Sequence, residues 1–290
     1  MASSQSSRAH GARRSIARTA VALAVMVLGA ACLLYPIVAQ WRSAITEREV
    51  SNEYVNRASS LASLQRARML SRARVYNDRV RRGLTPQANM SDESFRSDRD
   101  YLGQISVDGV MATVTIPRIS VQLPIRHGTD ETTLNVGAGH LYGTSLPIGG
   151  KGTNSVIAGH RGLPGALIFT RLNELGRGDT FYIDVLGERH WYRVDAIWVV
   201  DPTDTSHFGI DGDADYVTLL TCTPYGVNTQ RLLVRGVRTA APPASQADHG
   251  FYPSVMYGLV VSGIVGVFGC AALRLSSSSM RPCLSRHAVK

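Results

Sequence analysis

The sequence is short of cysteine, and the patterns missing around its cysteines exclude several kinds of site. Four cysteines occur among 290 residues, and none forms a Cys-x-x-Cys pair. The chain also lacks a His-Glu-x-x-His pattern, and the acidic residues Asp211, Asp213 and Asp215 lack the downstream glutamate of a calcium loop. We therefore expect neither a metal nor a cofactor.

Acidic residues are missing from both ends of the chain. Residues 1–15 and 274–290 carry basic residues but no aspartate or glutamate, and each borders a long apolar run. These runs, 16–38 and 251–273, are long enough to cross about 30 Å of hydrocarbon as helices. Basic flanks favour the cytoplasmic side, so we predict two transmembrane helices, two cytoplasmic tails and an outer section between the spans.

The first apolar run has two other interpretations. A cleaved signal peptide has an apolar core of about 7–15 residues, and a lipoprotein site would place Leu28 one residue closer to Cys32. We predict a retained helix. The net charge of +9 then comes mainly from the membrane flanks, which leaves the outer section nearly neutral. The lipid bilayer is therefore an expected partner, and nucleic acid is not.

Between the two runs the pattern changes from helical to extended. Residues 39–82 lack proline and glycine and repeat apolar residues at helical spacing, which predicts a helical membrane-proximal segment. Residues 83–106 have loop composition and form a candidate lid. Residues 107–239 contain seven or eight β-branched or aromatic runs that predict a barrel or sandwich, with one helical insert at Ala166 to Leu172. Residues 240–250 have the composition of a linker.

Cys222 is the cysteine that this topology leaves outside the membrane. Cys32 and Cys270 lie in the predicted spans, and Cys283 lies in a cytoplasmic tail. Secreted proteins usually pair their cysteines, so an unpaired outer thiol favours a catalytic nucleophile. Such a nucleophile needs a base or cationic partner, and its tetrahedral intermediate needs donors for the oxyanion.

Two residues are candidate partners of this thiol. His160 follows an apolar strand in a glycine-flanked turn, where a side chain can face a cleft; the alternative is a structural histidine. Arg231 begins the strand after Cys222, so antiparallel pairing would bring its guanidinium to the thiol; the alternative is an ordinary strand-edge arginine. His140 lies in a glycine-rich stretch that favours a structural loop over an anion site, and the pattern around His190 predicts a surface position.

The strand that carries the cysteine resembles the signature of sortases, the cysteine transpeptidases of Gram-positive cell surfaces, in particular the pilus-building class C. The signature run is Thr218-Leu219-Leu220-Thr221-Cys222-Thr223-Pro224, followed by Arg231. The resemblance covers about Gly109 to Arg238, with further similar runs at Ile116-Pro117, Leu123-Pro124-Ile125, His127-Gly128-Thr129, Gly139-His140, Gly143-Thr144-Ser145-Leu146-Pro147 and Ala158-Gly159-His160-Arg161-Gly162.

This resemblance implies a mostly β fold: an eight-stranded sortase-like β-barrel with short helices, flanked by two transmembrane helices as in class C. It implies that His160, Cys222 and Arg231 are the catalytic residues. Thr221 and Thr223 flank the cysteine and are candidate substrate-binding residues. The family's lid often carries an Asp-Pro-aromatic motif, and the corresponding stretch here, Asp98-Arg99-Asp100-Tyr101, has no proline.

The resemblance also implies an activity. The chain would cleave an LPXTG-like sorting signal between Thr and Gly, hold the acyl group as a thioester, and pass it to a lysine amine of another pilin subunit. Its partners would be pilin or surface proteins, and its location the cell membrane of a Gram-positive bacterium with the catalytic domain outside. The alternatives are a housekeeping sortase that anchors proteins to peptidoglycan and, less favoured, a non-catalytic membrane-tethered β-barrel binding module.

Overall fold

The computed structural model describes residues 3–88 and 94–242, with side chains from residue 20 onward. The predicted second span, 251–273, and the tail that follows it lie outside the described residues. Within the described part, two long helices precede a closed barrel of eight strands. The prediction of a mostly β, eight-stranded barrel with short helices is confirmed.

The two long helices are α1 (Ser3–Ser60) and α2 (Ser63–Arg81). By length and composition, the stretch Ala20–Ser60 of α1 can cross a membrane, and none of its most apolar window is buried inside the protein. Helix α2 buries Met69, Leu70, Ala73, Tyr76 and Asn77, whose three- and four-residue spacing places them on one helical face.

A buried tyrosine holds the carboxyl-terminal part of α1 on the barrel. The Tyr54 side chain is 3% exposed, and its hydroxyl donates to the carbonyl of Met111 at 2.6 Å. The same oxygen accepts the amide hydrogen of Leu186 at 3.0 Å. Because a buried polar group without a partner is costly, these two bonds fix where α1 meets two separate segments of the barrel.

The barrel follows the helices. Its strands are β1 (Ala112–Ile116), β2 (Val121–His127), β3 (Ala138–His140), β4 (Thr153–Ala158), β5 (Thr180–Val185), β6 (Glu188–Val200), β7 (Asp215–Thr223) and β8 (Gln230–Thr239). They close in the order β1-β2-β3-β4-β7-β8-β6-β5, and one large apolar cluster fills the interior. Closure pairs every strand on both sides and so leaves no open sheet edge.

Two neighbouring pairs in this order determine where the functional side chains lie. Strand β4 runs parallel to β7, and β7 runs antiparallel to β8. The carboxyl ends of β4 and β7 therefore meet at the same end of the barrel, together with the amino end of β8. Chain segments far apart in the sequence are brought together at this end.

Two sequence predictions about residues 107–239 are wrong. Ala166 to Leu172 forms turns, and the helical residues nearby are a single 3₁₀ turn at Leu172–Glu174. The segment is too short and too rich in turns to sustain repeated α-helical bonds. His190 is buried, at 7% exposure, because it pairs with the interior residue Ile183 and lies on the same face of β6 as the buried Tyr192.

The chain between α2 and β1 contains short helices where the sequence predicts a loop. A 3₁₀ turn at Ser94–Ser97 is followed by α3 (Arg99–Leu102), and Asp98 caps α3 by accepting the amide hydrogen of Tyr101. Tyr101 is fully buried. Residues 89–93 lie outside the described part, so the candidate lid stays a prediction.

Candidate active site

Cys222 lies one residue before the carboxyl end of β7. It is a free cysteine, and its side chain is partly exposed. The strand before it is buried from Val217 to Thr221 and is rich in β-branched and leucine residues, which favour a paired, buried strand. The fold thus holds the thiol on a rigid element at the point where that element reaches solvent.

Arg231 is the residue directly opposite Cys222 on the neighbouring strand. The antiparallel register of β7 and β8 pairs Cys222 with Arg231, and directly opposed residues project from the same face of a sheet. The guanidinium donates to the backbone carbonyls of Asn228 at 3.2 Å and Gln230 at 3.1 Å. These bonds hold its fixed positive charge at the loop between the two strands, beside the cysteine.

His160 follows β4 and is level with the cysteine. The parallel register pairs Ala158 with Leu220, and the Gly159 amide donates to the Leu220 carbonyl at 3.0 Å. His160 and Cys222 each lie two residues further along their own segment. The fold therefore brings all three sequence-predicted catalytic residues to one end of the barrel, from three separate segments of the chain.

The turn that carries His160 is tightly packed. The Phe169 amide donates to the His160 carbonyl at 3.1 Å. A Cβ added at Gly159 would lie 2.7 Å from the ring of Phe169 and 2.9 Å from Ile168, closer than side chains normally approach. Glycine is therefore required at position 159, since any larger residue would push the histidine turn away from its support.

Both threonines that flank Cys222 hold this turn. Thr221 is fully buried, and its hydroxyl donates to the Gly159 carbonyl at 2.7 Å. The Thr223 hydroxyl accepts a hydrogen bond from the guanidinium of Arg161 at 2.7 Å. The structure thus gives each threonine a partner within the protein. Their predicted contact with substrate stays a prediction.

The electrostatic setting of His160 combines burial with one acidic neighbour. Partial burial lowers the pKa of His160 from its ordinary value, because a desolvated imidazolium is disfavoured, and the negative charge of Glu131 opposes this by raising it. Glu131 begins the short helix α4 (Glu131–Leu134). Sequence reasoning missed Glu131 and Arg161; Arg161 was signalled only by its position next to the histidine.

His140 is a structural residue of the core. It is fully buried; its Nε2 lies 2.8 Å from the Ser145 carbonyl and its Nδ1 lies 2.9 Å from the Tyr101 hydroxyl. Burial lowers the pKa of His140 to about 4, so the ring is neutral at physiological pH. With both ring nitrogens engaged, it is not free to serve Cys222.

A cysteine, a histidine and an arginine at one end of a closed barrel provide a nucleophile, a proton-transfer group and a fixed cation, which are the parts of a cysteine acyl-transfer site. Comparison with known proteins supports a cysteine acyl-transfer site. The sortase domain family model matches residues 114–239. Among solved structures, sortase C-1 from Actinomyces oris is 43% identical, with a TM-score of 0.55, and the match covers 61% of this chain and 99% of that one.

A second solved structure, sortase C1 from Streptococcus agalactiae, is 39% identical with a TM-score of 0.62, covering 67% of this chain and all of that one (100%). Curated relatives include Sortase D of Bacillus subtilis, which is 30% identical over 126 residues, 42% of this chain. That match spans 61% of the relative's length, and the match to Sortase A of Listeria monocytogenes spans 65%. The chain belongs to the sortase family, whose members are cysteine transpeptidases, and its structural matches include class C sortases.

Proposed function

We propose that this chain is a pilus-building transpeptidase that uses Cys222 as its acyl carrier. The observation that supports this most is the placement of Cys222 opposite Arg231 and level with His160. The likeness to class C sortases supports the pilus assignment, because one of the similar solved structures is described as a pilus-related sortase C from Group B Streptococcus.

In the first step, the Cys222 thiolate attacks the carbonyl carbon of the Thr-Gly bond in an LPXTG-like signal. Arg231 stabilises the negative charge that develops on the carbonyl oxygen. The C–N bond then breaks, and protonated His160 gives its proton to the departing glycine amine. The products are a thioester on Cys222, a free amino end of the cleaved peptide and a neutral imidazole.

In the second step, a lysine amine of another pilin subunit attacks the thioester carbonyl. Neutral His160 takes the proton that the amine loses, the C–S bond breaks, and the thiolate of Cys222 is restored. An isopeptide bond now joins the two subunits. Holding the amine close to the thioester favours transfer over hydrolysis, because the acceptor then competes at high effective concentration.

We further propose that the chain is held in the cell membrane of a Gram-positive bacterium by two spans, with the barrel outside and both termini in the cytoplasm. The apolar stretch of α1 supports the first span. Substrates that carry sorting signals arrive at the same surface, so tethering raises the effective concentration of enzyme and substrate.

A housekeeping role, in which the acyl group passes to a peptidoglycan precursor, is the second candidate. The presence of enzymes named Sortase A among the curated relatives favours keeping it. The size of the product separates the two functions. A ladder of covalent polymers from purified pilin indicates a polymerase, whereas a single adduct with a wall precursor indicates an anchoring enzyme.

The purified full-length chain in detergent micelles can be tested with pilin subunits that carry a sorting signal. We expect covalent polymers with the wild-type chain and none with Cys222→Ala. The matched control, Cys32→Ala, removes an exposed thiol of α1 and should leave polymer formation unchanged. Polymers formed at the wild-type rate by Cys222→Ala would refute the mechanism.

A further inference from the structure

Arg161, next to the catalytic histidine, makes contacts that the mechanism above does not use. Its Nη1 donates to the Thr223 hydroxyl at 2.7 Å, and its Nη2 donates to the Asn173 side-chain oxygen at 2.9 Å. Thr223 ends strand β7, and Asn173 lies in the 3₁₀ turn Leu172–Glu174. One planar guanidinium therefore bridges the histidine turn, the cysteine strand and the connection that leads to β5.

The Arg161 side chain has no acidic partner among the described residues. No carboxylate there lies within ion-pair distance of it, and its Nε is buried without a hydrogen-bond partner. Among the described residues, the guanidinium is therefore held in place by its two directional bonds to the neutral side chains of Thr223 and Asn173.

The geometry of β7 explains why these bonds matter. Thr221 and Thr223 are two residues apart on a strand, so they share one face, and Cys222 projects from the other. Both threonine hydroxyls bond to the histidine turn, Thr221 through the Gly159 carbonyl and Thr223 through the Arg161 guanidinium. The turn is therefore fixed to the strand on both sides of the nucleophile.

We propose that Arg161 is a positioning residue that, through Thr223 and Asn173, holds His160 at its working distance from Cys222. It acts through the histidine turn and does not itself touch the reacting atoms. We call the bonds from Arg161 to Thr223 and Asn173 the tether. The tether is a structural claim, so the inference rests on the proposed function only for its effect on rate. Displacing a catalytic group by about 1 Å can cost roughly a hundredfold in rate, so a loosened turn should slow acyl transfer.

The first test is steady-state cleavage of a sorting-signal peptide by the full-length chain in detergent micelles. We expect Arg161→Gln and Thr223→Val each to lower kcat by about ten- to a hundredfold, with KM changed by less than about twofold. The double variant should be no slower than the slower single variant, because both remove the same contact. Thr223→Ser keeps the hydroxyl and should retain the wild-type rate.

Two further variants separate positioning from charge and from general destabilisation. Arg161→Lys keeps the positive charge but lacks the planar guanidinium that donates to both Thr223 and Asn173, so its kcat should remain low. Arg189→Gln removes a comparable pair of bonds, to the two carboxylate oxygens of Asp184, without touching β7 or the Leu172–Glu174 turn, and should be as fast as wild type. A wild-type kcat in Arg161→Lys would overturn the proposal. So would a kcat in the double variant that is lowered by the product of the two single effects, or single variants with a raised KM and an unchanged kcat.

Hydrogen exchange tests the tether without any substrate. In the wild-type chain, the Gly159 amide is bonded to Leu220 and the Gly162 amide to the Thr170 hydroxyl at 3.2 Å. We expect these two amides to exchange faster in Arg161→Gln and in Thr223→Val, and at the wild-type rate in Arg189→Gln. Unchanged exchange in the first two variants refutes the tether. A wild-type chain that cleaves no peptide refutes the proposed function and leaves the exchange result to decide this inference.

Discussion

Replacing Tyr101 by phenylalanine removes one oxygen from a buried network that holds α3 on the barrel. The Tyr101 hydroxyl lies 2.9 Å from Nδ1 of His140 and accepts the amide hydrogen of Gly128 at 3.1 Å. Nε2 of His140 faces the Ser145 carbonyl, which can only accept, so Nε2 carries the proton and Nδ1 accepts from Tyr101. The hydroxyl also lies 3.1 Å from the backbone carbonyl of His140. The variant therefore removes the partner of two buried groups, the Gly128 amide and Nδ1, and one neighbour of that carbonyl.

The cost follows from those two groups. Each buried donor or acceptor left without a partner costs about 1–3 kcal/mol, so we expect the free energy of unfolding to fall by about 3 kcal/mol. For a domain of this size, 1 kcal/mol corresponds to about 2–4 °C in the melting temperature. The expected loss is therefore roughly 6–12 °C. Edge-to-face and tilted contacts of the ring with its aromatic neighbours are retained in phenylalanine.

Thermal unfolding of the full-length chain in detergent micelles measures this loss. Tyr182→Phe is the matched control, because Tyr182 is only partly buried and its hydroxyl makes none of these bonds; its melting temperature should change by less than about 2 °C. Equal melting temperatures for Tyr101→Phe and Tyr182→Phe would show that the hydroxyl network contributes nothing to stability.

Three further predictions concern the histidine turn. Gly159→Ala should lower kcat at least tenfold in peptide cleavage, because the added Cβ would clash with Phe169 and Ile168. A wild-type kcat would show that Phe169 and Ile168 can move aside without displacing His160. Glu131→Gln removes the charge that raises the pKa of His160; because the first step needs protonated His160, the alkaline limb of the kcat/KM profile should move to lower pH, and a shift to higher pH would contradict this sign. Thr221→Val should destabilise the chain by about 1–3 kcal/mol in thermal unfolding, whereas Thr221→Ser should not.

Much of the barrel could be predicted from the sequence because the strands are short, β-branched and separated by turn residues. Antiparallel pairing across a short loop also made the neighbourhood of Cys222 and Arg231 predictable from their spacing. The helical segment before the barrel was visible for a related reason: a long stretch without proline or glycine sustains the spacing that one helical face requires.

Other features depend on contacts that local sequence does not encode. The bond from Arg161 to Thr223 joins residues 62 apart, and the Tyr101 network joins α3 to a residue 39 positions away. His190 looks polar and exposed in its strand, but barrel closure turns it inward. In each case the partner is set by which strands become neighbours, and this is decided by the whole fold and not by the residues nearby.

The mass of the intact chain after brief incubation with a sorting-signal peptide shows whether Cys222 carries the acyl group. The mass should rise by that of the acyl group, which is the peptide up to its threonine less one water. Fragmentation should locate this group on Cys222, and addition of an amine acceptor should remove it. Arg231→Ala should keep the fold but accumulate this adduct much more slowly. If a folded wild-type chain releases product without forming an adduct, or forms the adduct on another residue, Cys222 is not the acyl carrier.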